Sequence, residues 1–347
     1  MIVFLLIFLC FAEDFSSWAA KQRITPIPEK NYHTLADMYK RIAALEKEKP
    51  GVIESVRIGM TGNKRTIWGF RIQEPARDIR VKVLVFAGLH PLEWISNETA
   101  MAIIEELVAH PINHVSVLVI PCVNIDRRLL TERELRTGSK KYRRSNGNGV
   151  DLNRDYEIHR DSDSIWKNVV PEYYTVSPQA LSQPESKALD SLADKERFDA
   201  VVSLHSFGGY IFYPWAGRWK SAPDAKRHHH LANIMSQAQR HPFPYKAMQL
   251  SKWGFPFRTL GTELDHFYGK YGSLTFLIEL TRSGLFPLSP KSFQNPFRWY
   301  NPRNPQKDIE RGVDSVLALA RQLGMEKWTL DNSHEKHNFS PSSFLEK

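Results

Sequence analysis

Val81-Lys82-Val83-Leu84-Val85-Phe86-Ala87-Gly88-Leu89-His90-Pro91-Leu92-Glu93-Trp94 begins as an apolar run and breaks at a glycine. The run reads as a buried strand. Just beyond it, Ser96-Asn97-Glu98-Thr99 opens a segment whose apolar residues recur at helical spacing (Met101, Ile103, Ile104, Leu107, Val108), which predicts a helix. His90 and Glu93 therefore fall on a strand-to-helix turn, past the carboxyl end of a strand. Open α/β sheets bind their ligands at such places. Catalytic zinc is commonly held by two histidines and one glutamate, with the fourth position left to water. A lone His-x-x-Glu pair also occurs on ordinary solvated turns. Its meaning depends on a second histidine and a catalytic carboxylate placed as well as these two.

Reading outward, residues 32–49 carry Leu35, Met38, Tyr39, Ile42 and Leu45 at helical spacing and should end before Pro50-Gly51. Residues 52–58 and 66–72 read as strands around a turn at Thr61-Gly62-Asn63. The continuous apolar run at 115–123 reads as a buried parallel strand. Residues 126–150, rich in Arg, Lys, Ser, Asn and Gly, read as a long functional loop leading into Gly149-Val150-Asp151-Leu152-Asn153-Arg154-Asp155. A helix is expected from Ser182-Gln183-Pro184-Glu185 to about residue 195. Residues 198–204 form a further apolar run ending at His205, and 211–214 continue extended. A helix over 224–240 holds His228-His229-His230, read as a solvated run. Residues 251–262 read as loop, 273–280 as a last strand carrying Glu279, and 309–323 as a closing helix. Strands alternating with helices predict a mixed, largely parallel β-sheet flanked by helices on both faces, an α/β/α sandwich.

The chain has 347 residues, enough for one large α/β domain or two small ones, and 42% hydrophobic residues with 12% aromatic mark it as globular. Its formal net charge of +9 is spread out, apart from one cluster at Arg136 to Arg144, and does not read as a nucleic-acid tract. Residues 2–12 are uninterruptedly apolar, too short to span a bilayer and of the right length for a signal-peptide core. Residues 1–20 are thus expected to be an export leader, cleaved near Ala12 or near Ala19-Ala20, with retention as an anchor the competing reading. Cys10 lies in this run, so the mature chain would keep Cys122 alone and no disulfide framework. A secreted or periplasmic cell-envelope location is expected. From residue 326 onward the tail is polar and expected to be disordered.

His205 supplies the second histidine, again at a strand end. Glu279 lies in Thr275-Phe276-Leu277-Ile278-Glu279-Leu280, where an unpaired buried charge would cost several kcal/mol unless it had a task. With these, the sequence resembles the zinc metallocarboxypeptidase family, to which the pancreatic carboxypeptidases belong. Gly88 to Trp94 is similar to the family's first zinc motif, Gly149 to Asp155 to its substrate-carboxylate motif, Leu204-His205-Ser206 to the third-ligand motif, and Glu279-Leu280 to the catalytic-glutamate motif. The resemblance covers residues 30–323, the expected catalytic domain.

It implies one zinc ion held by His90, Glu93 and His205, with Glu279 as general base. It also implies that Arg143 stabilises the oxyanion, with Arg144 as the fallback. Asn153 and Arg154 would hold the substrate's terminal carboxylate, a task that suits a bidentate guanidinium. Leu264 falls near the position that tends to set specificity and favours apolar C-terminal residues. The implied substrates are peptide or protein C-termini. No nucleic acid, no stable membrane association after leader cleavage and no propeptide-controlled zymogen are expected, and the chain should be a monomer. Three departures stand out. Leu92 replaces a common arginine, Asp155 a common asparagine, and Phe257 the usual mobile tyrosine, for which Tyr245 or Tyr268 would have to substitute. A related zinc hydrolase acting on cell-wall peptides and an inactive carboxypeptidase-like binding protein are the alternatives.

Overall fold

The computed structural model describes residues 14–75, 78–161, 176–253, 258–282 and 294–326. The apolar run at 2–12, Cys10, Phe257 and the tail from residue 327 lie outside them.

Strands β3 (Val81–Ala87), β4 (Val115–Ile120), β5 (Ala200–Ser206) and β8 (Leu274–Leu280) are buried almost throughout. That is the mark of strands covered on both faces, and they pair in parallel. On one flank β1 (Ile53–Met60) and β2 (Thr66–Ile72) form an antiparallel hairpin that joins β4 antiparallel. On the other, β6 (Tyr210–Tyr213) joins β8 antiparallel and β7 (Lys246–Gln249) follows it in parallel. The full order is β1-β2-β4-β3-β5-β8-β6-β7, a mixed sheet of 8 strands. From β3 the chain steps first to β4 on one side and later to β5 on the other. The order reverses there, and a crevice opens at the carboxyl ends of β3 and β5.

Helices follow in chain order: α1 (Phe15–Ala20), α2 (Leu35–Glu48), α3 (Trp94–Ala109), α4 (Ile125–Arg136), α5 (Pro184–Glu196), α6 (Ala225–Ala238), α7 (Leu250–Trp253), α8 (Glu263–Tyr271), α9 (Phe297–Tyr300) and α10 (Gln306–Met325). Thr34 and Asp37 close a capping box at the start of α2. Helices α3, α10 and α6 pack side by side as one layer, and α5 and α8 as the other. Among the described residues no helix is long and apolar enough to cross a membrane.

The structure departs from expectation at several elements, including the short helix α7, which overlaps the stretch 251–262 read as loop. Helix α4 fills the first half of the stretch 126–150, also read as a loop. Its buried side mixes Asp126, Arg128, Thr131 and Glu132 with Ile125 and Leu135, so no apolar stripe announces it. Arg128 is fully buried over the Trp94 ring, donates to the His33 carbonyl and lies 3.7 Å from Glu132, contacts that offset part of its desolvation. Helix α8 was also missed. Thr262 caps its start and Gly272, left-handed, its end. His228 is not solvated: it is buried against Tyr268 and Phe276, and its Nε2 accepts the Thr275 N–H at 3.2 Å. The residues expected to form the leader, 1–20, include α1. Phe15 is buried with its ring 4.7 Å from Phe70 and 5.2 Å from Trp68. Cleavage near Ala12 would leave this packing intact, whereas cleavage at Ala19-Ala20 would remove it.

Candidate metal centre and catalytic site

Gly88 ends β3 in a conformation (φ +65°) open chiefly to glycine, and a Cβ there would lie 2.4 Å from the Asn97 amide nitrogen. This tight turn delivers His90 and Glu93 to the mouth of the crevice, while His205 arrives on β5 beside it. All three are buried. His90 Nδ1 and His205 Nδ1 face each other at 3.1 Å, and each also faces a Glu93 oxygen, at 2.9 and 3.0 Å. The outward nitrogens are both taken by carboxylates: His90 Nε2 lies 3.0 Å from Asp151 Oδ1, and His205 Nε2 lies 2.9 Å from Glu263 Oε1. A carboxylate can only accept, so each Nε2 carries the proton and each Nδ1 turns its lone pair inward. Two lone pairs and a carboxylate aimed at one point require a cation between them. The ligand atoms of His90, Glu93 and His205 all lie within 4.8 Å of one another and could hold a metal ion. Two imidazoles and a carboxylate are the donor set of catalytic zinc, so the residues present fit that ion.

The electrostatics agree. Burial opposes ionisation of Glu93, but the two histidines outweigh it and hold its carboxyl below the usual range. Burial would lower His205, yet Glu93 and Glu263 push it up to about 10, so in the absence of metal a proton takes the cation's place. Asp151 is likewise held low against burial by Arg144 and His90.

Glu279 stands on β8 opposite His205 in the β5–β8 register. Burial, then the Glu93 charge, push its carboxyl up to about 8, and its Oε2 is buried without a hydrogen-bond partner among the described residues. Gly208 leaves room for it, since a Cβ there would come within 3.2 Å of the Glu279 Cβ.

Of the two candidate arginines, the structure brings the second to the cluster. Arg143 is exposed on the wall of a cleft of about 700 Å³. Arg144, one residue on, turns inward. Its Nε donates to Asp151 Oδ2 at 2.7 Å, and its NH1 lies 3.7 Å from Glu93.

Asn153 and Arg154 are buried in the short turn after Asp151, with the Asn153 amide oxygen accepting the Glu263 N–H at 3.2 Å. Asp155 adds no charge to this site. Its carboxylate accepts from Ser177, Ser182, Gln183 and Ser186 and so fixes the start of α5. Neither proposed tyrosine substitute is placed for substrate: Tyr245 OH receives the Thr281 N–H at 3.0 Å and donates to Asp308, while Tyr268 OH donates to Asp224 at 3.0 Å. Leu264 is buried in an apolar cluster with Phe212, Ala216 and Leu277. Glu263 was missed in the sequence. Its only signal is a carboxylate beside the N-cap of a helix that had not been read.

A family model described as zinc carboxypeptidase matches residues 38–298. Zinc carboxypeptidase A 1 of Drosophila melanogaster is 25% identical over 311 residues, spanning 84% of this chain and 70% of that protein. Carboxypeptidase A4 of Mus musculus is 25% identical over 219 residues, 60% of this chain, which spans only 52% of that relative's length. Among solved structures, carboxypeptidase A from Helicoverpa armigera superposes with a TM-score of 0.70 at 21% identity, covering 89% of this chain and 78% of that one. A similarity this low in sequence speaks for the fold alone.

Proposed function

The chain belongs to the zinc carboxypeptidase family, and from this premise we propose that it is a zinc-dependent peptidase that removes residues from the C-termini of peptides. The observation that carries the reading is the inward-facing His90–Glu93–His205 triad with Glu279 beside it in strand register. Zinc, when bound, supplies a Lewis acid that polarises a carbonyl and acidifies water. Everything else falls to the chain's own side chains. Glu279, with a carboxyl raised well above the usual carboxylate range and one buried oxygen unpartnered among the described residues, is suited to take a proton from the attacking water and pass it to the leaving amine. Arg144 is the guanidinium next to the cluster, and it takes the role of hydrogen-bond donor to the oxyanion that develops on the scissile carbonyl. Asp151 holds Arg144 and His90 at once and so positions both. Asn153 and Arg154 are assigned to the terminal carboxylate, which makes cleavage start from the end. The apolar surroundings of Leu264 support a preference for apolar C-terminal side chains.

The test is zinc content together with release of C-terminal residues from a peptide panel, wild type against Glu279→Gln. Both should hold about one zinc per chain, and the variant should lose trimming by about 10²- to 10⁴-fold. Zinc in both with trimming in neither would sink the peptidase reading. We also propose export, supported by the apolar run at 2–12. N-terminal sequencing of the mature protein would show a start near residue 13, and a cytoplasmic chain retaining Met1 would contradict it.

A further inference from the structure

Both histidines of the triad have their outward nitrogen bonded to a carboxylate, but the two carboxylates come from different parts of the fold. Asp151 belongs to the turn that also carries Asn153 and Arg154. Glu263 belongs to α8, on the far side of β5, and is completely buried. Its Oε1 takes the His205 Nε2–H at 2.9 Å and the Ser203 hydroxyl at 3.0 Å. Its own N–H is held by Asn153 at 3.2 Å, and among the described residues its Oε2 has no hydrogen-bond partner. A buried carboxylate with one empty oxygen is expensive unless it serves a nearby cation.

We propose that Glu263 is a positioning residue of the metal centre: by accepting the His205 Nε2–H it locks that ring with Nδ1 turned inward and adds negative charge that strengthens metal binding. A carboxylate behind a ligating imidazole fixes its orientation and raises its basicity, and removing such a partner typically weakens metal binding about 10- to 100-fold. Glu263 also links the metal site to the substrate-carboxylate turn, because Asn153 holds the first residue of α8 and α8 holds His205.

The inference rests on the zinc reading proposed above, and one experiment separates the two. Zinc affinity of the full chain is measured by competition with a chromophoric chelator for wild type, Glu263→Gln and Ser203→Ala. Thermal midpoints are recorded with and without zinc. Glu263→Gln keeps the shape and an acceptor oxygen but removes the charge. Its affinity should fall about 10- to 100-fold. The rise in its thermal midpoint on adding zinc should shrink in step with the lost affinity. Ser203→Ala should stay within about twofold in affinity. Equal affinity of wild type and Glu263→Gln would overturn the role of Glu263 while leaving the zinc site in place. A wild type that takes up no zinc would sink both readings. Should Glu263→Gln not fold, the cobalt(II)-loaded wild type decides by proton NMR: two slowly exchanging imidazole N–H resonances are expected, and a fast-exchanging second one would contradict the proposal.

Discussion

Asp151 and Asp155 flank the same Leu152–Arg154 turn, both are buried, and they do unrelated work. Asp151 faces the crevice and binds two groups of the catalytic cluster, His90 and Arg144. Asp155 faces the other way and gathers donors from Ser177, Ser182, Gln183 and Ser186 at the start of α5. Composition and spacing do not separate these two carboxylates; their partners do. Losing Asp151 should damage chemistry and metal affinity, whereas losing Asp155 should damage stability.

The largest effect expected from this contrast lies with the partner of Asp151. Arg144→Ala should lower kcat/KM about 10²- to 10³-fold, while Arg143→Ala, on the exposed wall of the cleft, should stay within about twofold. Equal losses in steady-state assays would show that both arginines serve the reaction. On the Asp155 side, Asp155→Ala strands several buried donors and should cost about 3 kcal/mol in urea unfolding, with zinc affinity unchanged in the protein that remains folded. Asp151→Asn should reverse the pattern, with zinc held about 10- to 100-fold more weakly and a smaller change in the unfolding midpoint. A zinc defect in Asp155→Ala would break the comparison outright.

The smallest effect concerns a third aspartate. Burial opposes ionisation of Asp190, but hydrogen bonds from His266, Lys270 and Tyr271 outweigh it and hold the carboxyl well below the usual range. Burial lowers His266, consistent with a neutral ring donating its Nε2–H. Because the folded value lies below the unfolded one, the stabilisation is present above about pH 4 and fades as pH falls below it. Asp190→Asn should therefore flatten the acid limb of stability against pH, read by unfolding between about pH 5 and 2, and leave neutral-pH activity intact.

What the sequence made legible follows from the physics of burial. The central strands are apolar on both faces, so they stand out as runs, and each ends where a chemical side chain emerges: His90 after β3, His205 on β5, Glu279 on β8. Helix α4 did not stand out because its inner side is built from Arg128, Glu132 and Asp126, buried through partners rather than by apolarity. The choice between Arg143 and Arg144 had no periodic signal, since neither belongs to a helix or strand. Glu263 was invisible for a related reason. Its task depends on which ring nitrogen it meets across the sheet, and only the packing of α8 against β5 fixes that.

Cleavage of a peptide ending in a free acid, set beside the same peptide ending in an amide, tests the central claim most directly. With Asn153 and Arg154 reading the terminal carboxylate and Glu279 working beside the His90–Glu93–His205 centre, zinc-loaded protein should trim the acid and leave the amide essentially untouched. Equal cleavage of both peptides, or cleavage of neither, would contradict it.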